Sequence, residues 1–212
     1  MRFHEARSLL ERGLRAPLPG IQAQRLLAPV PPRQWPIGFD PAGLRHAAGL
    51  LLLFPFHGNA HIVVTLRADR LGRHGGQISL PGGVVEPGET LEQAALREAH
   101  EEIGLAAHLV TPLGALTPVD IHVSGFRLHP IVGASEQRPS LRAADGEVAR
   151  VIEIPVADLL DPAALTWHTV RRDEQTYRVP TLVAQGAEIW GATAMVMAEF
   201  LWLLGWGTGQ TE

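Results

Sequence analysis

Residues 82–105 read GGVVEPGETLEQAALREAHEEIGL, a helix with clear start and stop signals and an unusual run of acids. Thr90 and Gln93 form a capping box, which starts a helix by satisfying two orphan backbone amides at once. Gly104 stands where a helix closes in left-handed backbone. Between these signals Leu91, Ala95, Ala99 and Ile103 recur every fourth residue and make the stripe that is buried. Alanines occupy half of that stripe, so the helix packs close to whatever lies beneath it. Opposite the stripe, Glu98 and Glu102 differ by about 40° in azimuth, and Glu101 lies about 60° to the other side of Glu98. Such like charges repel by about 0.2–0.5 kcal/mol per pair, and Arg97 is the one cation among them. Stability alone does not select this pattern. A positive ion that the chain does not encode does.

Clustered hard oxygens of this kind select Mg²⁺ or Mn²⁺ over metals that prefer thiolate or imidazole. Just upstream, Pro81-Gly82-Gly83 leaves a backbone free of side chains, able to offer carbonyls to a metal or amides to a phosphate. Glu86-Pro87-Gly88-Glu89 is a tight turn that folds this backbone against the helix. A metal cluster beside a bare glycine turn suits a phosphorylated ligand.

Working outward, two apolar runs, GLLLLFPF and HIVVTLR, flank His57-Gly58-Asn59-Ala60 and read as a hairpin. The first run is apolar on both faces and belongs in a sheet interior. Further strands are expected near residues 109–116, 126–132, 148–152, 177–183 and 188–189, with a turn at Gln185-Gly186 and a last helix over 192–204. Residues 2–15 form an amphipathic helix with Phe3, Leu9, Leu10 and Leu14 as its apolar side, followed by a proline-rich wrapping segment. Arg171-Arg172-Asp173-Glu174 reads as a solvated turn. The order of elements predicts an α/β (α+β) fold, a mixed β-sheet sandwiched between helices. Three parts are expected: residues 1–45 as helix and wrap, 46–206 as the main domain, and 207–212 as a tail.

The 212 residues are 46% hydrophobic and carry a net charge of −4, so no basic field recruits nucleic acid or an anionic membrane. There is no cysteine, which excludes disulfides, thiolate metal sites and a cysteine nucleophile. All 18 basic residues are arginine, which composition bias explains better than phosphate binding does. The long apolar stretches are interrupted at Pro55 and Glu199, so no membrane span is expected, and a cytoplasmic location is.

Gly83, Glu89, Arg97-Glu98, Glu101-Glu102, Gly104 and Leu105 fall at the spacing of the Nudix box, and the chain resembles that family. Ala99 stands where a larger aliphatic residue is usual. The resemblance implies a Nudix fold, Mg²⁺ or Mn²⁺ as cofactor, and attack of water on a nucleoside diphosphate linked to another group. It makes Glu98 and Glu102 the principal metal ligands, Glu101 a further ligand or the base, and the Gly83 backbone a contributor. Arg97 would orient the acids by pairing with Glu89.

The segment before the box, TLRADRLGRHGGQISLPGG (65–83), resembles the coenzyme A diphosphatase branch through Thr65, Arg67, Ala68, Arg70, Leu71, His74, Gly76, Gln77 and Pro81-Gly82-Gly83. Leu80 replaces the usual phenylalanine, and Gly72 a common basic residue. Later pieces at 124–133, at Glu147 with the strand after it, and at 188–194 are similar too, so the likeness covers about residues 50–204. It implies cleavage of coenzyme A or its derivatives to 4′-phosphopantetheine and adenosine 3′,5′-bisphosphate. Arg67 and Arg70 are then phosphate contacts, or else surface arginines. His74 and Gln77 contact substrate or brace the glycine turn, and Glu147 is an added ligand or base. ADP-ribose is the alternative substrate, and a non-catalytic nucleotide sensor the alternative role. His122, His129 and His168 lie singly in sequence and read as structural. Homodimer formation, with residues 1–45 serving it, is left open.

Overall fold

The computed structural model describes residues 1–33, 38–68, 76–121, 123–172 and 174–207. Strand β1 (Arg45–Phe56) turns through His57-Gly58 into β2 (Asn59–Arg67). Both turn residues have positive φ, 49° and 75°, the backbone that matches a two-residue hairpin to strand twist. From Ala48 to Phe54 β1 is buried on both faces without a break, which puts it mid-sheet as expected.

Eight strands form the main sheet. Its spine runs β3 (Ile78–Ser79), β2, β1, β7 (Phe126–Ala134), β5 (Thr111–Ala115). Beside it, β4 (Gly82–Val84) pairs with β1, β6 (Val119–Ile121) with β7, and β8 (Val148–Pro155) with β2. The β1–β7 pair is parallel and the others are antiparallel, so the sheet is mixed. Helix α3 (Leu91–Ile103) covers one face, setting Ala94, Ala95, Ala99 and Ile103 on Ala48, Leu50, Leu52 and Phe54. The small residue at position 99 is wholly buried in this contact. The other face carries α1 (Phe3–Arg15), α5 (Gly191–Leu203) and a second sheet. That sheet is three antiparallel strands in the order β11 (Ala187–Ile189), β10 (Gln175–Ala184), β9 (Leu165–Arg172). Two short α-helices, α2 (Ile21–Gln24) and α4 (Val156–Leu160), are the remaining α-helices among the described residues. The expected architecture, a mixed sheet between helices, is the one observed.

Phe3, Ala6, Leu10 and Leu27 lie in the same buried cluster as the sheet and α5. The tie that holds the N-terminal wrap is polar. Glu199 of α5 is fully buried and accepts four hydrogen bonds. Gly20 N and Thr117 N each donate at 3.1 Å, Thr117 Oγ1 at 2.7 Å and Gln24 Nε2 at 3.2 Å. One carboxylate thereby joins the wrap, the β5–β6 connection and α5.

One expectation needs correction. Arg171 and Arg172 end strand β9 instead of lying in a turn; the chain reverses after them, with Glu174 at φ 63°. Strand β9 gave no signal because both its faces are largely exposed, so it lacks the alternation that marks a half-buried strand. Strands β3, β4 and β6 span two or three residues each, too few to carry a period.

Candidate active site

The site is assembled on the backbone of β4. Gly82 and Gly83 pair with Gly49 and Ala48 of β1, directly beside the acidic side of α3. A methyl group on Gly83 would overlap the carboxyl group of Glu98, and one on Gly82 would overlap the Ala48 carbonyl and Gly49 Cα. Both glycines are required by close approach, and for different reasons. Gly83→Ala is expected to keep the fold, because only a flexible side-chain end stands in its way, and to lower kcat by about tenfold or more as Glu98 is displaced. Gly82→Ala meets backbone and is expected to cost about 2 kcal/mol or more of stability. Urea unfolding and initial rates on both variants check the contrast.

Arg97 organises the acids. Its Nε and Nη2 donate to both oxygens of Glu89 at 2.7 and 3.1 Å, a bidentate pair. Nη1 donates to Glu98 at 2.9 Å and Glu101 at 3.1 Å, and Nη2 also donates to the Val84 carbonyl at 3.0 Å. The guanidinium thus holds the turn, the helix and β4 in one arrangement, and it pushes the Glu89 carboxyl below its usual pKa.

Glu102 behaves differently. It is buried, and its carboxylate accepts from Gly82 N at 3.1 Å. Burial raises its pKa from 4.5 to about 7; the Gly82 amide and Arg67 oppose the rise, while Glu98 and Glu147 add to it. The structure therefore brings Glu98, Glu102, Glu147 and Arg67 into one electrostatic neighbourhood. Arg67 and Glu147 come together through backbone. Ala68 N donates to the Glu147 carbonyl at 3.0 Å, and a bulge in the β2–β8 pairing at Leu66/Arg67 redirects this end of the sheet. Gly76 N and the Arg67 carbonyl, and Arg67 N and the Gln77 carbonyl, close the segment between β2 and β3 at 3.0 Å each. Gln77 lies there. Arg70 and His74 lie outside the described residues.

Among the described residues, no three side chains of metal-binding type converge on one point. Arg97 restrains Glu98 and Glu101, and the Gly82 amide restrains Glu102. The donor set nonetheless fits a hard divalent cation. It is all carboxylate, Glu102 is short of compensating positive charge, and Gly83 lets the Glu98 carboxyl group lie directly against the β4 backbone. Sequence reasoning missed the Gly82 amide as the anchor of Glu102; the Gly82-Gly83 doublet was its signal. His129, expected to be structural, stacks on His46 of the neighbouring strand with ring nitrogens 2.8 Å apart.

Residues 43–175 match the NUDIX domain. The chain belongs to the Nudix family. It is 34% identical over 153 residues to an uncharacterized Nudix hydrolase, NudL, of Yersinia enterocolitica, covering 72% of this chain and 78% of the relative. The NudL protein of Enterobacter sp. strain 638 is 33% identical over 162 residues, 76% of this chain and 84% of that one. Similar solved structures include the Mycobacterium smegmatis Nudix hydrolase RenU, with TM-score 0.45, 27% identity, and 55% and 74% of the two chains covered. A MutT/nudix protein of Enterococcus faecalis gives TM-score 0.48 at 16% identity, covering 82% and 71%. As a Nudix hydrolase the protein acts on nucleoside diphosphate derivatives. No helix among the described residues is long and apolar enough to cross a membrane.

Proposed function

We propose that this Nudix hydrolase cleaves the diphosphate of coenzyme A or a derivative, releasing 4′-phosphopantetheine and adenosine 3′,5′-bisphosphate. The observation that carries the reading is the 65–83 segment, whose described part delivers Arg67 to the neighbourhood of Glu102, at the edge of the glycine turn. A guanidinium there suits a substrate with a phosphate beyond its diphosphate.

Glu98 and Glu102, with Glu147 and the Gly83 backbone, would hold Mg²⁺ or Mn²⁺, and Glu101 serves as a further ligand or as the base. When bound, such a cation neutralises diphosphate charge and lowers the pKa of water. The chain's own residues supply position. Arg97 fixes Glu98 and Glu101 relative to the turn, the Gly82 amide fixes one oxygen of Glu102, and Arg67 draws the substrate's phosphate toward them. Water adds its oxygen to one phosphorus as the bond from that phosphorus to the bridging oxygen breaks, and an acidic side chain accepts the proton. Positioning and charge neutralisation supply most of what phosphoryl transfer needs.

The test is to incubate the protein with Mg²⁺ and coenzyme A, ADP-ribose or nucleotide sugars and to identify the products by mass. Coenzyme A is expected to give the two products named and the highest kcat/KM. A kcat/KM about tenfold higher on ADP-ribose, a difference of about 1.4 kcal/mol in transition-state binding, would transfer the assignment to that substrate.

A further inference from the structure

The outer edge of β9 can be followed residue by residue through its backbone. Arg178 of β10 donates its N–H to the Val30 carbonyl and accepts from Val30 N, both at 2.8 Å. In an antiparallel strand a residue's N–H and C=O point to the same side, and the side alternates along the chain. Arg178 therefore faces Val30 and β11, whereas Val179 and Thr181 face β9, opposite His168 and Thr166. The alternate residues of β9, Trp167, Thr169 and Arg171, must then direct their N–H and C=O groups away from β10. Among the described residues no backbone group meets Trp167 or Thr169 there. Leu165 belongs to the same set, but its N–H already bonds the Pro162 carbonyl. Pro180 agrees with this parity: its missing N–H falls on the side away from β9.

An eight-residue edge with this composition, LTWHTVRR, has little of the usual protection before its last two residues. It carries no proline, no bulge against β10 and no charge before Arg171. Trp167 is 45% exposed, with the Arg178 guanidinium 4.8 Å over its ring.

We propose that β9 pairs with β9 of a second copy of this chain, antiparallel about a two-fold axis through Thr169, joining the two three-stranded sheets into one. The register follows from the outward groups. Symmetry requires paired residue numbers to have a constant sum, and hydrogen-bonded pairs require outward-facing residues on both strands. Centring on Thr169 uses all three available residues: Thr169 meets its own mate, and Trp167 meets the mate's Arg171 twice over. Shifting the centre to His168 would need the occupied Leu165 amide. Shifting it to Val170 leaves Trp167 without an outward partner among these three. The chosen register also lays an arginine beside each exposed tryptophan, a favourable cross-strand cation–π pair.

The chain contains no cysteine, which gives the register a direct test. Directly opposed, hydrogen-bonded residues have Cα atoms about 5.5 Å apart, inside the roughly 4.4–6.8 Å span of a disulfide. Under mild oxidation Thr169→Cys is expected to form a cross-linked dimer. Trp167→Cys and Arg171→Cys are each expected to stay monomeric alone, and to cross-link one-to-one when mixed. Sedimentation equilibrium of the unmodified protein is expected to show a concentration-dependent dimer. Thr169→Lys, which opposes two ammonium groups at the axis, is expected to raise its dissociation constant by about tenfold or more, with a melting temperature like that of the unmodified protein when both are measured at concentrations where they are monomeric. An unmodified protein that sediments as a monomer at every soluble concentration overturns the proposal. So does cross-linking of Trp167→Cys alone as efficient as that of Thr169→Cys.

Discussion

Glu102→Gln is expected to lower kcat by about a hundredfold or more while the protein remains folded, because the proposed cation would lose a charged ligand. The same substitution has a second signature in the metal-free protein. Burial holds the folded-state pKa of Glu102 at about 7, against an ordinary 4.5. The folded state thus binds this proton more tightly than the unfolded chain does. The resulting stability is fully present below about pH 4.5 and is lost as the pH rises through 7, on the order of 3 kcal/mol in all. Glutamine carries no such proton, so the variant should not show this loss. Without metal above pH 7 it should melt higher than the wild type. Millimolar Mg²⁺ should then raise the wild-type melting temperature by mass action and move the variant's less. Wild-type turnover in the variant, or identical pH–stability curves, would remove Glu102 from both roles.

Glu199→Ala is expected to be the most destabilising single change outside the site, about 3–5 kcal/mol. It strands the amides of Gly20 and Thr117, the Thr117 hydroxyl and the Gln24 side chain in a buried position. For a chain of this size that loss lowers the melting temperature by about 10 °C. Glu199→Gln keeps one acceptor oxygen but turns an amide NH2 toward donors, and should fall between the two. Glu199 touches no residue of the candidate site, so kcat per folded molecule should be unchanged. A melting temperature within about 2 °C of wild type would show that the wrap is held by apolar contacts alone.

Much of the site was legible along the chain, because its parts are local. The capping box at Thr90 and Gln93 and the left-handed Gly104 are formed as read. The Glu89–Arg97 pair spans only eight residues and is bidentate. Glu98, Glu101 and Glu102 were expected on one face, but their environments diverge. Glu101 is exposed and Glu102 is buried, since α3 rolls Glu102 toward the backbone of β4. Helical period gives an azimuth, whereas burial depends on what packs there. Glu147 shows the same limit: its neighbourhood depends on a bulge in the pairing of β2 with β8, far apart in sequence.

By itself the sequence determined the acidic helix with its start and stop, the hairpin before it, the glycine turn and the family. Each rests on short-range spacing, which backbone geometry converts directly into structure. Tertiary structure alone decided which amide holds Glu102, that Arg67 and Glu147 share its surroundings, that Glu199 clasps the N-terminal wrap, and that β9 presents an open edge. Those features depend on strand register and on desolvation by distant residues, and neither leaves a periodic mark on the chain.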